Sequence, residues 1–454
     1  MAQHSAYNVR EAVLDILLHV KKNQGYSNVL IDRTVKEKKL ASVDVPLLTE
    51  IVYGTIQYEK TLDYYINAFL TQPPEKLNDW VRALLRLSVY QYVYLDRVPD
   101  HAIINEAVNI AKKRGHKGIS GMVNGILRSI MREELPSLDA IEDPSERLAV
   151  KTSHPFWLIE RWIEQFGKEK AAEIAANNLN YPITSARVNT TKTTREKLIR
   201  ELAEEGVEAE ASPLVENAVR IRNGVLTKTA AFHNGYVSLQ DEGSMLTALL
   251  LNPLPGERIL DACAAPGGKS ACMAERMDDT GEIISVDIQQ NKVKHITEQK
   301  KRLGLSIITA HAGDARRLSD VYEPESFDGI LVDAPCSGFG VIQRKPDIKW
   351  AKEKEDIERL AAVQADILDA VWPLLKKGGR LVYSTCTIDL EENSRQVEAF
   401  LSRQRDAFIS GHAEERLPEP VLATAVRYSE GVQLFAGEFG TDGFFMSLIE
   451  KSSG

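Results

Sequence analysis

The sequence predicts a multidomain chain: an all-α helical bundle over residues 1–140, a small α+β linker element over 141–235 and a Rossmann-like α/β domain over 236–454. Three observations carry that expectation. At 454 residues the chain is long for one hydrophobic core and suits two or three. Apolar residues recur at helical spacing in Val9–Val20, Val45–Leu70, Val81–Leu95 and Ala102–Lys113, and no strong strand pattern intervenes before about residue 140. Farther on, short apolar runs alternate with helical patterns and several close on an aspartate, as expected of a parallel sheet whose carboxyl edge binds a ligand.

In the helical region, Tyr64, Tyr65 and Phe69 lie near one face and read as core rather than as base-stacking aromatics. Lys112, Lys113, Arg114 and Lys117, followed by Arg128 and Arg132, gather positive charge around one interhelical turn. Such a cluster suits a phosphate backbone and equally a solvated helix end, since cations favour helix C-termini. His154-Pro-Phe-Trp157 and Gln165-Phe-Gly-Lys168 begin a helical linker. Ile183–Asn189, a helix over 193–205 and Ala218–Ile221 then make the α+β element, and Gly235–Ser244 opens the last domain.

That domain begins with the apolar run Arg258–Leu260, then Asp261-Ala-Cys263-Ala264-Ala265-Pro266-Gly267-Gly268-Lys269, then a helical pattern from Ser270 to Met277. A strand, a glycine turn and a helix N-terminus together make a nucleotide-cofactor site, because glycines let the backbone approach a ligand and free amides can face its polar groups. Neither the dinucleotide nor the Walker spacing is present, and an ordinary tight turn is the competing reading. Glu282–Asp287 reads as a second buried strand, with Asp287 where α/β folds bind a ribose hydroxyl pair or, alternatively, cap a helix. The run Ser306–Ala310 leads to Asp314, which could accept from an adenine amine or serve a turn.

The chemistry is expected on the next two strands. Gly329–Asp333 opens into a turn carrying Asp333 and Cys336, and Arg380–Thr385 delivers Cys386 to the same edge. A single cysteine is ordinarily a small core residue; two at the ends of two strands point to thiol chemistry. Carbon 5 of cytosine is a poor nucleophile, but a thiolate adding at carbon 6 converts the ring to an enamine that attacks an electrophilic methyl group. A carboxylic acid at the ring nitrogen, the place suited to Asp333, stabilises the adduct, and a second thiol or a water it holds removes the carbon 5 proton.

Asp261–Lys269, Asp333-Ala-Pro-Cys336-Ser-Gly338 and Ser384-Thr-Cys386-Thr387 resemble the S-adenosylmethionine loop and the two cysteine motifs of RNA cytosine-5 methyltransferases of the Nop2/Sun family. The resemblance implies that Cys263, Ala264, Ala265, Pro266, Gly267, Gly268, Lys269, Asp287, Asp314 and Asp333 contact S-adenosylmethionine. By the same resemblance Asp333 also faces the base, Cys386 is the nucleophile and Cys336 assists elimination; Lys269 is expected to orient the loop and the catalytic carboxylate, with a solvated helix-start lysine as the alternative. DNA cytosine methyltransferases use a Pro-Cys pair as nucleophile, which leaves Cys336 as the alternative. Upstream, Arg86-Leu-Ser-Val-Tyr-Gln91, Asp96–Val108 and Val123-Asn-Gly-Ile-Leu-Arg128 resemble the NusB-type helical RNA-binding domain, with Lys112, Lys113, Arg114, Lys117 and Arg128 as candidate RNA contacts. Together the motifs match the RsmB/Sun subfamily over nearly the whole chain, and Phe439–Met446 resembles its closing strands. The implied activity is methylation of carbon 5 of one cytosine in 16S ribosomal RNA, in a loop or turned out of its stack. The same chemistry on a transfer RNA, or a non-catalytic assembly role on ribosomal RNA, are the alternatives.

Composition limits these expectations. The net charge of −9 argues against a wholesale electrostatic grip on nucleic acid, although residues 1–140 carry 18 Lys and Arg against 16 Asp and Glu. The four cysteines, 263, 272, 336 and 386, lack paired metal-ligand spacing and follow no secretory leader, so neither zinc nor disulfides are expected. No apolar run approaches the ~20 residues needed to span a bilayer. A cytoplasmic monomer without a membrane partner is the expectation.

Overall fold

The structure, a computed structural model, describes residues 8–23 and 27–453. They fall into two compact units. One runs to Leu179 and also takes in Arg344–Lys352; the other comprises Asn180–Gln343 and the chain from Glu353 onward.

The first unit is helical throughout. Its helices are Val9–Asn23, Ser27–Lys38, Val45–Gln57, Glu59–Asn67, Asp79–Tyr94, Asp100–Arg114 and Lys117–Arg132, followed by Pro144–Lys151, Phe156–Phe166 and Lys168–Asn177. The apolar face of Asp79–Tyr94 lies at the centre, with Val81, Leu84, Leu85 and Leu87 buried against Leu14, Leu48, Val52 and Leu127. Gly54 admits the Tyr90 ring, since a Cβ there would stand 1.8 Å from Tyr90 Cζ. The single helical pattern expected over 45–70 is two helices, broken at Tyr58, whose φ of −102° and ψ of 19° leave the helical region. Its ring stacks on Tyr94 at 4.2 Å, so packing favours the break. Tyr65 and Phe69 pack against this core, and the Tyr64 hydroxyl donates to the Ser137 carbonyl.

Arg344–Lys352, which lies between the two cysteine motifs in sequence, is bonded into this helical unit. Ser27 Oγ donates to Asp347 at 2.8 Å, Lys349 Nζ to the Gln57 carbonyl at 2.9 Å and Trp350 Nε1 to the Ile56 carbonyl at 2.7 Å. Burial presses the fully enclosed Lys349 ammonium well below its ordinary range.

The second unit opens with a four-stranded antiparallel sheet of order β2-β3-β1-β4, from β1 (Thr184–Val188), β2 (Glu208–Ala211), β3 (Ala218–Asn223) and β4 (Val237–Leu239). The helix Arg195–Glu204 covers it, burying Leu198 and Leu202 against Ala186, Val188 and Val219. A larger mixed sheet follows. Its strands are β5 (Arg258–Asp261), β6 (Glu282–Asp287), β7 (Ile308–Ala312), β8 (Phe327–Asp333), β9 (Leu375–Thr385), β10 (Ala407–Ile409), β11 (Val426–Tyr428), β12 (Gly431–Leu434) and β13 (Phe444–Lys451).

The order is β11-β12-β13-β9-β8-β5-β6-β7, with β10 also on β13; β5 to β9 are parallel and β13 runs antiparallel to β9. Alternation sends Ile259, Ile283, Leu331 and Val382 into one core and Leu260, Ile284, Val332 and Tyr383 into the other, so both faces are covered. The chain reverses its direction of winding between β5 and β8. The crevice beyond the carboxyl ends of such a pair is where open α/β sheets take their ligands. No helix among the described residues is long and apolar enough to cross a membrane.

Candidate active site

The crevice is built from the ends of five strands, β5 to β9. β5 closes on the fully buried Asp261, which accepts from Ser270 Oγ at 2.5 Å, while Ser285 Oγ donates to Ser270 at 2.9 Å. Burial raises the Asp261 carboxyl to about 7, against the hydrogen bond from Ser270. The chain then passes through Cys263–Pro266 to Gly267, whose φ is +103°, and the helix begins at Gly268 rather than at Ser270. A Cβ on Gly267 would lie 3.1 Å from Ile296 Cα, whereas one on Gly268 would meet nothing nearer than Gln240 at 3.6 Å. The first is a packing glycine; the second borders open space.

That space is a cavity of about 220 Å³ lined by Asp241, Ser244, Asp261, Ala264, Lys269 and Asp333, among others. Across it, Lys269 Nζ donates to Asp333 Oδ2 at 2.7 Å and stands 5.1 Å from the Phe444 ring centroid. Burial works to lower the Lys269 ammonium, but the charge and hydrogen bond of Asp333 outweigh it and hold the group above its ordinary range. Ser384 Oγ donates to the other oxygen, Oδ1, at 2.9 Å, so both oxygens of Asp333 are oriented.

Asp287 sits at the end of β6, accepting from the Ala265 amide at 3.3 Å and the Gln289 amide at 3.0 Å. Its carboxylate therefore ties the glycine loop to the next strand. Asp314 lies two residues past β7; it accepts from the Arg316 amide at 3.0 Å and pairs with the Arg316 guanidinium at 2.6 Å. Cys263 is half-buried, and burial followed by the surrounding aspartates pushes its thiol well up.

The two motif cysteines come together. Cys336, three residues past β8, and Cys386, directly after β9, place their sulfurs 3.4 Å apart, and both are partly exposed. The Gly340 amide donates to the Cys386 carbonyl at 3.0 Å and the Gly443 amide to the Gly340 carbonyl at 2.8 Å, so three loops are laced together around the pair. The Cys336 thiol is pushed well up, first by its hydrogen bond with Cys386 and then by burial. Cys272, by contrast, is buried in the helix Gly268–Arg276 with its thiol raised to about 11 by burial.

Several participants had no motif to announce them. Arg187 on β1 forms a two-pronged ion pair with Glu275, at 2.7 and 2.9 Å, and donates to the Gly268 carbonyl at 2.9 Å, so the small sheet supports the glycine loop. Its one signal is a charge in a short strand, between Ala186 and Val188, which are both buried. Of the basic cluster in the helical unit, Lys113 is held by Glu11 at 2.8 Å and Arg114 by Asp15, and Arg128 Nε donates to Asn124 at 3.1 Å. Lys112, Lys117 and Arg128 are exposed.

A doubly wound sheet with its cavity at the switch point, a glycine loop, aspartates at successive strand ends and a facing thiol pair define a methyltransferase of the Rossmann-like class. Residues 248–450 match the model of the 16S rRNA methyltransferase RsmB/F family, residues 7–132 that of the NusB family and residues 154–227 that of the RsmF/B-like ferredoxin-like domain. Over 444 residues the chain is 49% identical to the "Probable ribosomal RNA small subunit methyltransferase B" of Bacillus subtilis (strain 168), covering 98% of this chain and 99% of that one. It is 34% identical to "Ribosomal RNA small subunit methyltransferase B" of Photorhabdus laumondii, covering 98% and 99%. Among solved structures, PH0851 superposes with a TM-score of 0.82 at 28% identity over 98% of this chain and 97% of that one. NSun6 from Pyrococcus horikoshii with SFG gives 0.58 at 25% over 65% and 98%. The chain belongs to the RsmB/F family of 16S rRNA methyltransferases, with a NusB-like helical domain and a ferredoxin-like small domain before its Rossmann-like catalytic domain.

Proposed function

We infer that the chain methylates carbon 5 of one cytosine in 16S ribosomal RNA, through a covalent bond between Cys386 and carbon 6 of the base. The observation that carries this reading is the 3.4 Å approach of Cys336 to Cys386. Their loops adjoin the Lys269–Asp333 pair, since Ser384, two residues before Cys386, is bonded to Asp333. A reaction that needs only a positioned substrate oxygen or nitrogen has no use for two thiols.

The methyl donor is S-adenosylmethionine, and the crevice fits it. Gly268 borders the cavity without a side chain to fill it, and carboxylates stand at the ends of β5, β6 and β8. The loop Cys263–Lys269 together with Asp287, Asp314 and Asp333 would hold it, and when bound it supplies an electrophilic methyl group. Asp314 would serve from the position in which Arg316 orients it.

Cys386 attacks carbon 6 as a thiolate, forming the carbon–sulfur bond, while Asp333, taking up a proton from the Lys269 ammonium bonded to it, gives a hydrogen bond or proton to the ring nitrogen side. Carbon 5, now an enamine carbon, is the nucleophile for the methyl group that the donor would supply, the donor leaving as its neutral thioether. Cys336, or a water it holds, then removes the carbon 5 proton, and the electron pair expels Cys386 and restores the ring. Lys269 keeps Asp333 oriented throughout. Lys112, Lys117 and Arg128, exposed on the helical unit, are the candidate phosphate contacts.

Two variants test the assignment. Cys386→Ala abolishes incorporation of labelled methyl into 16S rRNA, whereas Cys336→Ala accumulates a protein–RNA adduct that survives a denaturing gel. An adduct seen only in the Cys386 variant would reverse the roles. Wild-type protein that binds ribosomal RNA but transfers no label would favour the assembly role, and label entering only transfer RNA would move the substrate.

A further inference from the structure

Glu392 is fully buried, carries no role in the chemistry above and yet reaches both cysteine loops. Its Oε1 accepts from the Ser337 amide at 2.8 Å and from Gln364 Nε2 at 3.1 Å, and its Oε2 accepts from the Ser337 hydroxyl. Ser337 directly follows Cys336, and its hydroxyl stands 2.7 Å from that of Thr387, which directly follows Cys386. The neighbouring Asn393 completes the arrangement, accepting from Thr385 Oγ1 at 2.6 Å and donating to the Thr387 carbonyl at 3.1 Å. The Glu392 backbone is fixed in turn, its carbonyl accepting from the fully buried Tyr383 hydroxyl at 2.6 Å.

We propose that Glu392 is a positioning residue: through Ser337 and Thr387 its carboxylate sets the separation and orientation of the Cys336 and Cys386 sulfurs. Three donors converge on this one side chain, and one of its oxygens reaches the hydroxyl that bridges the two cysteine-flanking residues. A group that only filled core volume would need none of them, and an apolar side chain would serve better than a buried acid. Burial lifts the carboxyl to about 7 against the hydrogen bonds from Ser337. Misplacing reacting groups by about 1 Å costs about 100-fold in rate, so a brace of this kind acts on kcat.

The proposal rests on the thiol reading of the site, and its test separates the two. Full-length wild type, Glu392→Ala, Glu392→Gln and Ser337→Ala are treated with diamide, which takes up the two thiol hydrogens, and the Cys336–Cys386 linked peptide is followed by mass spectrometry. The alanine variants should link about tenfold more slowly, with kcat lowered by at least as much and KM for RNA and for S-adenosylmethionine within about threefold of wild type. Glu392→Gln, which keeps one acceptor, should recover part of both. If Glu392→Ala does not fold, Ser337→Ala and Glu392→Gln carry the comparison. Unchanged linking and kcat in the variants that fold, or a loss shared equally between kcat, KM and melting temperature, would overturn the brace. Linking that depends on Glu392 in a protein whose Cys336→Ala variant forms no RNA adduct would uphold the brace and sink the cytosine mechanism instead.

Discussion

Replacing Arg187 by Met should uncouple the small sheet from the cofactor loop. The guanidinium and the Glu275 carboxylate are almost wholly enclosed, at 3% and 4% side-chain exposure, and meet through two bonds of 2.7 and 2.9 Å. Removing one member of such a pair strands the other charge, at a cost of about 3–5 kcal/mol. At about 1.4 kcal/mol per decade, that is a rise of two to three and a half decades in local opening. Hydrogen exchange of the full-length protein, read on peptides covering β1 and Gly268–Arg276, measures it. Burial already pushes the Glu275 carboxyl up, with Arg187 opposing. Without Arg187 the folded-state value climbs further above that of the unfolded chain, so the folded state binds the extra proton and stability falls as pH rises above the unfolded value. The penalty should therefore be small at pH 5 and large at pH 8, rising by no more than about 1.4 kcal/mol per pH unit. Arg187→Met with Glu275→Leu should return most of the loss, because an apolar pair of similar volume is often as stable as a buried ion pair. Protection within threefold of wild type at pH 8, or a double variant as loose as the single one, would refute the reasoning.

Two other outcomes are expected. Gly267→Ala places a Cβ 3.1 Å from Ile296 Cα at a φ of +103°, so S-adenosylmethionine affinity measured by calorimetry should fall by about tenfold, in line with the roughly 1–2 kcal/mol that an L-residue incurs there. Lys112→Gln with Lys117→Gln should reduce the slope of log affinity for ribosomal RNA against log salt by about 1.5–2, whereas Lys113→Gln, already engaged by Glu11, should change it less. A slope unaltered by the double change would remove this surface from the RNA contacts.

Much of the catalytic domain was legible because its strands are short apolar runs that end on aspartates, a local pattern. Where boundaries moved, a nonlocal group moved them. The run expected over 306–310 pairs at Ile308–Ala312 because the Asp279 carboxylate takes the Ser306 and Ile307 amides, at 2.8 and 3.2 Å, before the ladder begins. The helix begins at Gly268 because Gly267 adopts a left-handed conformation that ends the loop. The approach of Cys336 to Cys386 followed from their shared sheet edge, but Glu392 was not visible. In sequence it is half of an acidic doublet before a helix, which ordinarily faces water, and only the three donors converging on it explain its burial. Residues 344–352 were equally opaque, since periodicity reports an element's type and not which core receives it.

That short excursion has a consequence for how the molecule is made. Emerging from the ribosome, the helical domain lacks the residues that satisfy Ser27, Ile56 and Gln57 until position 352 has been synthesised, by which time the first four strands of the larger sheet are already out. A fragment cut near residue 236 would leave the Lys349 and Trp350 donors without these acceptors, at about 1–3 kcal/mol for each that stays buried. The catalytic half is therefore not a cassette that can be lifted out intact: its gene segment encodes part of its neighbour.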